Sequence, residues 1–290
     1  VAGTSQASAT APSSYAAKIL ARKPVAYGRL GDSAGAAIRD ESKPGHDGTY
    51  NGTPGFGEAG AIQRDPNTAI KLDGRSYVEI PSAPELSQPT SGKGLTVEAW
   101  MRPDLLRFAG ETSDPHLHWL GKGEPDRYEW AFRFYSQDST RPNRISAYLW
   151  NPAGELGSGA YFQDSIKPGE WIHIVACFDP GDARDPRAGV SIYKNGVLRG
   201  GPTGQPGALY KSYRITSAPG SAPVRLGTRL PVTGRLRGGC SAAFWNASRK
   251  RRGYRRWCCG KRSGSKIGRG VENRCVFSWA RFLRRTPMPG

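Results

Sequence analysis

Hydrophobic and polar positions alternate with a period of two over many short stretches of this chain. EWAFRFYS, residues 129–136, sets Trp130, Phe132 and Phe134 on one side and Glu129, Arg133 and Tyr135 on the other. RISAYLWN, residues 144–151, opposes Ile145, Ala147 and Leu149 to Ser146, Tyr148 and Trp150. This period belongs to a strand with one buried face. Further strands are predicted at Val25–Leu30, Ala69–Gly74, Ser76–Pro81, Leu95–Pro103, His116–Lys122, Glu170–Asp179, Val190–Gly200, Ala222–Arg229 and Leu236–Asn246. Gly, Pro, Asn and Asp separate them, and Asn195-Gly196 within KNGV is a strong hairpin signal. YAAKILA, from Tyr15, reads as one or two helical turns. No amphipathic helix of 10–15 residues separates the strands, which disfavours a parallel sheet and predicts an antiparallel sandwich.

Facing the apolar sets of the two middle strands to the core places Arg133, Tyr135, Tyr148 and Trp150 together on the outer face. Aromatic platforms beside a hydrogen-bonding cation suit a sugar ring. Its C–H face stacks while its hydroxyls find polar partners. The same pattern also serves ordinary cross-strand pairing on a solvated sheet.

Composition supports the all-β reading. The 290 residues include 38 Gly and 23 Pro, which fits many turns and few helices. No apolar run is long enough to span a membrane. Residues 1–14 are small and polar and read as a disordered leader or linker. The net charge of +18 is uneven. Residues 247–290 carry 14 Lys/Arg against Glu272 alone, so the sandwich is expected over residues 15–246, followed by a basic tail of low order. Of the five cysteines, Cys177 lies in the apolar run WIHIVACF and is expected to be a buried thiol. The odd number and irregular spacing give no disulfide framework.

Four stretches, in order, resemble the laminin-G-like, concanavalin A-like lectin/glucanase jelly-roll modules of bacterial surface and secreted proteins. They are PVAYGRLGDSAGAAIRDESKPGHDGTYNG, AIKLDGRSYVEIP, LTVEAWMRP, and GEWIHIVACFD with VSIYKNGVLRG. The resemblance covers about residues 15–246 and implies an antiparallel two-sheet jelly roll. It implies a non-catalytic binding or adhesion module, directed to carbohydrate or another cell-surface ligand and forming part of a larger extracellular protein. Some relatives hold calcium, for which Asp114, Asp126, Asp138 and Asp179 are available oxygens. Trp100 and Trp171 are expected in the core between the sheets, and His173 in a structural role. The family's opening strand carries Trp where this chain has Gly28, which predicts a void or a neighbour that fills it.

Two other readings compete. EPDRYE has the Glu-x-Asp-x-x-Glu spacing of glycoside hydrolases of this fold, with Glu124, Asp126 and Glu129 as the carboxylates. That chemistry needs them on one strand, and Pro125 interrupts it. His116 and His118 share a strand face and, with Asp114, offer at most a weak metal site. The basic tail, with RKRRGYRRWCCGKR at its head, suggests polyanion or nucleic-acid binding. Its excess of Arg, Gly, Cys and Trp also matches GC-rich codons read out of frame. Regrouping degenerate codons from the last base of Asn246 permits Arg, a Pro/Ser-Glu helix start and an Ala/Val/Leu run. On that reading, residues from Ala247 onward should carry little regular structure.

Overall fold

Alternating burial organises the strands of the computed structural model. It describes residues 14–88, 93–109, 113–124, 127–151, 157–185, 188–201, 207–209, 215–216, 218–227 and 238–249. Helix α1 (Ser14–Leu20) precedes β1 (Ala26–Gly28), β2 (Ala37–Ile38), β3 (Gly48–Asn51), β4 (Gly55–Glu58), β5 (Ala69–Leu72) and β6 (Tyr77–Ile80). The middle of the chain supplies β7 (Lys93–Pro103), β8 (His116–Glu124), β9 (Arg127–Tyr135), β10 (Ile145–Trp150) and β11 (Gly157–Phe162). Then follow β12 (Ile172–Asp179), β13 (Gly189–Lys194), β14 (Val197–Gly200), β15 (Ala208–Leu209), β16 (Val224–Leu226) and β17 (Gly238–Arg249).

Among the described residues these strands make two antiparallel sheets. The eight-stranded sheet runs β14-β13-β12-β7-β17-β5-β4, with β1 paired to β17. The nine-stranded sheet runs β15-β11-β10-β9-β8-β16-β6-β3-β2. Each contributes one face to a shared core. Leu95, Val97, Ala99 and Met101 of β7 and Ile172, Ile174, Ala176 and Phe178 of β12 come from the first. Trp130, Phe132, Phe134, Ile145, Ala147 and Leu149 come from the second. The expected sandwich is therefore present. The KNGV hairpin joins β13 to β14, with Asn195 at φ 50° and Gly196 at φ 79°, the paired positive dihedrals of a tight hairpin turn.

Alternation also corrects three expectations. Trp100 falls between Ala99 and Met101 and so lies on the outer face of the eight-stranded sheet, half-buried, as does Trp171. The Trp100 indole N–H donates to Tyr15 Oη (3.0 Å), and Tyr15 in turn donates to Glu98 Oε1 (3.1 Å). His173 Nε2 lies 2.6 Å from the same oxygen, and its ring stacks on Trp100 at 4.6 Å. This polar patch seats α1, whose Ala16 and Ile19 pack with Tyr27. Burial and the Glu98 charge push the Tyr15 phenol far up. Trp171 lies under Arg102, 5.3 Å from its guanidinium carbon. Cys177 likewise faces outward on β12 and is half-buried, with Thr96 Oγ1 3.7 Å from its sulfur. A big apolar residue in an apolar run read as core, but its position in the pleat decided its side. Among the described residues, the tryptophans that fill the core are Trp119 and Trp130, both 0% exposed.

At Gly28 the anticipated void exists but is small. An apolar cavity of about 10 Å³ is lined by Gly28, Leu30, Ile38, Val78, Ile80, Val224 and Leu226. A Cβ added at Gly28 would sit 3.6 Å from Ile38 Cγ2 and 3.9 Å from Leu30 Cδ2, ordinary contact distances. Gly28→Ala is therefore expected to stabilise the fold by about 0.4–1 kcal/mol, chiefly through the unfolded chain. Urea unfolding reads this as a higher midpoint at unchanged slope; a lower midpoint would refute it.

The last strand also differs from expectation. β17 runs past Asn246, pairing Ala247, Ser248 and Arg249 with Leu95, Gly94 and Lys93. Regular structure thus extends three residues into the segment expected to lack it. The remainder of the basic tail, the leader before Ser14 and Asp126 lie outside the described residues.

Candidate functional site

The site grows from register. β9 and β10 pair so that Ser146 opposes Arg133 and Tyr148 opposes Ala131; β10 and β11 pair Tyr148 with Gly159. The residues that alternate with these along the strands, Phe132, Phe134, Ala147 and Leu149, point into the core, so this row points away from it. Gly159 has a local purpose. A Cβ there would come within 2.8 Å of Tyr148 Cδ1, so its absence lets the Tyr148 ring lie against the sheet.

On this floor the side chains interlock. The Arg133 guanidinium carbon lies 4.6 Å above the Tyr148 ring and 5.3 Å from that of Trp150. Arg133 Nε donates to His118 Nε2 at 2.8 Å, a bond that requires that nitrogen to be unprotonated. The Tyr135 and Tyr148 hydroxyls are 3.2 Å apart. Burial, then the neighbouring Tyr135, pushes the Tyr148 phenol far up, so Tyr148 stays a neutral hydrogen-bonding group. His116 stacks on Tyr135 at 5.0 Å, and its Nδ1 meets the Asp114 carbonyl at 2.9 Å.

The four residues anticipated on the outer face do meet, but they divide in role. Tyr135 and Tyr148 are buried, at 0% and 3% exposure, and form a floor rather than open platforms. Arg133 and Trp150 stay partly open. They are joined by a residue that lies just before the alternating stretch, Tyr128. Between Lys122↔Trp130 and Gly123↔Tyr128 the register slips, leaving Glu129 as an extra residue in β9. Such a bulge reverses the side on which the chain beyond it presents its residues. Tyr128 is thereby brought to the outer face, 5.2 Å from Trp150 and 5.6 Å from His118. A bulge has no period-two signature. The turn-prone EPDRYE segment is the sequence signal of a slip in pairing there.

The same bulge turns Glu129 inward, away from the face it was expected to share with Arg133. Its Oε1 lies 2.8 Å from Lys122 Nζ, with both side chains essentially excluded from water. Lys122 Nζ also reaches Ser82 Oγ and the carbonyls of Gly220 and Ala222 at 2.8–3.0 Å. Glu129 further accepts from the N–H groups of Gln88 and Gly220. The Gln88 side chain in turn donates to the Trp150 carbonyl. One buried ion pair thus fixes two loops beside Trp150. The hydrolase alternative asked for its carboxylates on one strand. Glu124 ends β8 opposite Arg127, while Glu129 sits across the hairpin on β9. The two carboxylates do not share a strand, and Glu129 is committed to Lys122.

Of the carboxylates considered for calcium, the three described ones are also committed separately. Asp114 accepts from Ser139, Thr140 and Arg141, and the Ser139 hydroxyl, then Arg141, holds its carboxyl far below the usual range. Asp138 pairs with Arg107, and Asp179 caps the Gly181 N–H. Among the described residues no three metal-ligating side chains converge, the His116, His118 and Asp114 combination included. Nor is any helix among them long and apolar enough to cross a membrane.

The sequence pattern of the concanavalin A-like lectin/glucanases superfamily matches residues 72–235, more than half of the chain. A comparison with curated proteins finds no match. Among solved structures, the chain is similar to the botulinum neurotoxin serotype C1 binding domain, with TM-score 0.53 and 12% identity over 80% of this chain and 50% of that one. It is similar to the binding domain of botulinum neurotoxin DC in complex with SialylT (0.52, 11%, 79% and 49%). The same domain in complex with rat synaptotagmin II gives 0.51, 12%, 79% and 49%. The chain therefore spans about half the length of these domains, and the likeness is one of fold.

Proposed function

Because this chain belongs to the concanavalin A-like lectin/glucanase superfamily, we propose that it is a non-catalytic carbohydrate-binding module acting outside the cell or at its surface. One observation carries this reading. Trp150, Tyr128 and Arg133 converge on one outward face, over a floor of Tyr135, Tyr148, His116 and His118. Rings offer a stacking surface to the C–H face of a sugar, and the guanidinium supplies donors to its hydroxyls. The floor is hydrogen-bonded and packed, so the open groups are held in place before a ligand arrives. The fold's likeness to binding domains agrees with a binding role but transfers none of their ligands. Glu129, the residue a hydrolase would need, is locked in the ion pair with Lys122.

A glycan array probed with the full chain, with and without a chelator, tests the proposal. At least one glycan class should be retained, and Trp150→Ala should weaken its binding by about tenfold, the effect of losing one good stacking contact. Retention of no glycan, or an array unchanged by Trp150→Ala, would sink the proposal. A signal lost on chelation would show that calcium takes part.

A further inference from the structure

At the far end of the same face lies a cation that, among the described residues, is fixed in place without a counter-charge. Arg144 lies over Tyr161, its guanidinium carbon 3.9 Å from the ring centroid, and 6.0 Å from that of Tyr135. Its Nε and Nη2 both donate to Gln163 Oε1, at 3.1 and 3.0 Å. Among the described residues these are its partners. No carboxylate is one of them, and Nη1 makes no hydrogen bond. The carboxylates closest along the two flanking segments are already matched. Asp138 holds Arg107, and Asp164 holds Lys194 and Arg199.

Fixing an arginine ordinarily costs side-chain entropy, which a ligand must offset when it binds. Here a ring and an amide impose that order beforehand. The open edge of the guanidinium offers paired N–H donors, the fork that fits a carboxylate or sulfate. Six residues of extended strand separate Arg144 from Trp150, about 20 Å. Arg133, opposite Ser146, lies between them.

We propose that Arg144, Tyr161 and Gln163 form a second subsite, for the anionic group of an acidic oligosaccharide whose other end rests on Trp150 and Tyr128. This rests on the carbohydrate-binding reading above and adds the charge and the reach of the ligand. The ligand is a chain of several sugars, not a monosaccharide, and it carries carboxylate or sulfate.

The basic tail attracts any polyanion, so the test compares variants of the full chain. Two pairs of probes are titrated calorimetrically: oligogalacturonate against its methyl ester, and a keratan sulfate oligosaccharide, which has no uronate, against its desulfated form. Arg144→Gln should weaken binding of one charged probe by about tenfold, the effect of one charge-assisted pair, and leave its neutral partner unchanged. Which charged probe responds tells carboxylate from sulfate. Arg39→Gln removes an equal charge from an exposed position elsewhere and should change affinity less than twofold. Arg144→Lys, which keeps the charge without the fork, should fall between. Thermal melts confirm that each variant is folded. Equal effects of Arg144→Gln and Arg39→Gln, or equal losses for charged and neutral probes, would overturn the subsite. So would failure of the wild type to bind any of the four. If Trp150→Ala abolishes glycan binding while Arg144→Gln changes nothing, the carbohydrate reading stands and the acidic subsite falls.

Discussion

Lys122→Met is expected to destabilise the fold by about 3–5 kcal/mol, because it leaves the Glu129 carboxylate buried without its cation. For a domain of this size that lowers the melting midpoint by roughly 10 °C. Calorimetry or a urea melt of the full chain measures it. The argument is one of desolvation. Lys122 is 0% exposed and Glu129 1%. Each was stripped of water during folding, and the other partners of the pair are neutral hydroxyl, amide and carbonyl groups. Glu129→Gln should likewise destabilise, since the ammonium group then loses its anion. The double replacement Lys122→Met with Glu129→Leu should recover much of the loss, as buried pairs exchanged for apolar residues often do. The same experiment bears on catalysis. A catalytic Glu129 could be neutralised with little loss of stability. A melt unchanged in Glu129→Gln would reopen the hydrolase reading.

Trp130→Ala should cost about as much, 3–5 kcal/mol on the scale of large buried aromatics. The indole is fully buried beside Phe178, with ring centroids 6.2 Å apart. Its N–H donates to the Leu86 carbonyl at 2.9 Å. Removing it opens a cavity between the sheets and leaves that carbonyl unsatisfied. Trp130→Phe separates the two effects. It keeps most of the packing, leaves the carbonyl unsatisfied and should cost about 1–3 kcal/mol. A Phe variant as unstable as the Ala variant would show that shape, rather than volume, holds the site. Because Leu86 leads directly to Gln88, the Phe variant should also loosen the turn that reaches Trp150.

The sequence disclosed the sandwich well because burial on one face writes itself as alternation. Trp130, Phe132 and Phe134 could be assigned to the core, and Arg133 and Trp150 to the other side, from spacing alone. Three kinds of feature escaped. Short pairings such as β2, β4 and β15 contain too few residues to show a period. Bulges break the period, so Glu129 was placed on the wrong side and Tyr128 was left outside the strand. An outward residue covered by a distant segment, such as Trp100 beneath Tyr15, looks apolar enough to be core. The site was half legible for the same reason. Register across two strands follows from their pattern, but the burial of Tyr135 and Tyr148 depends on what settles over them. The Arg144 corner was invisible because its stacking partner Tyr161 lies on β11, a strand that alternation did not reveal.

β17 has a consequence for the making of the protein. It lies between β7 and β5 and also receives β1, so three earlier strands wait for a neighbour that is translated long after them. As the chain leaves the ribosome, β8 to β11 can zip into hairpins at once. The eight-stranded sheet stays in three pieces, β14-β13-β12-β7, β5-β4 and β1, until residues near 249 emerge. Its interior edges, backbone groups unmatched, are exposed for that whole interval, and this is the stage at which a nascent chain of this topology is most open to misassembly and to chaperone capture.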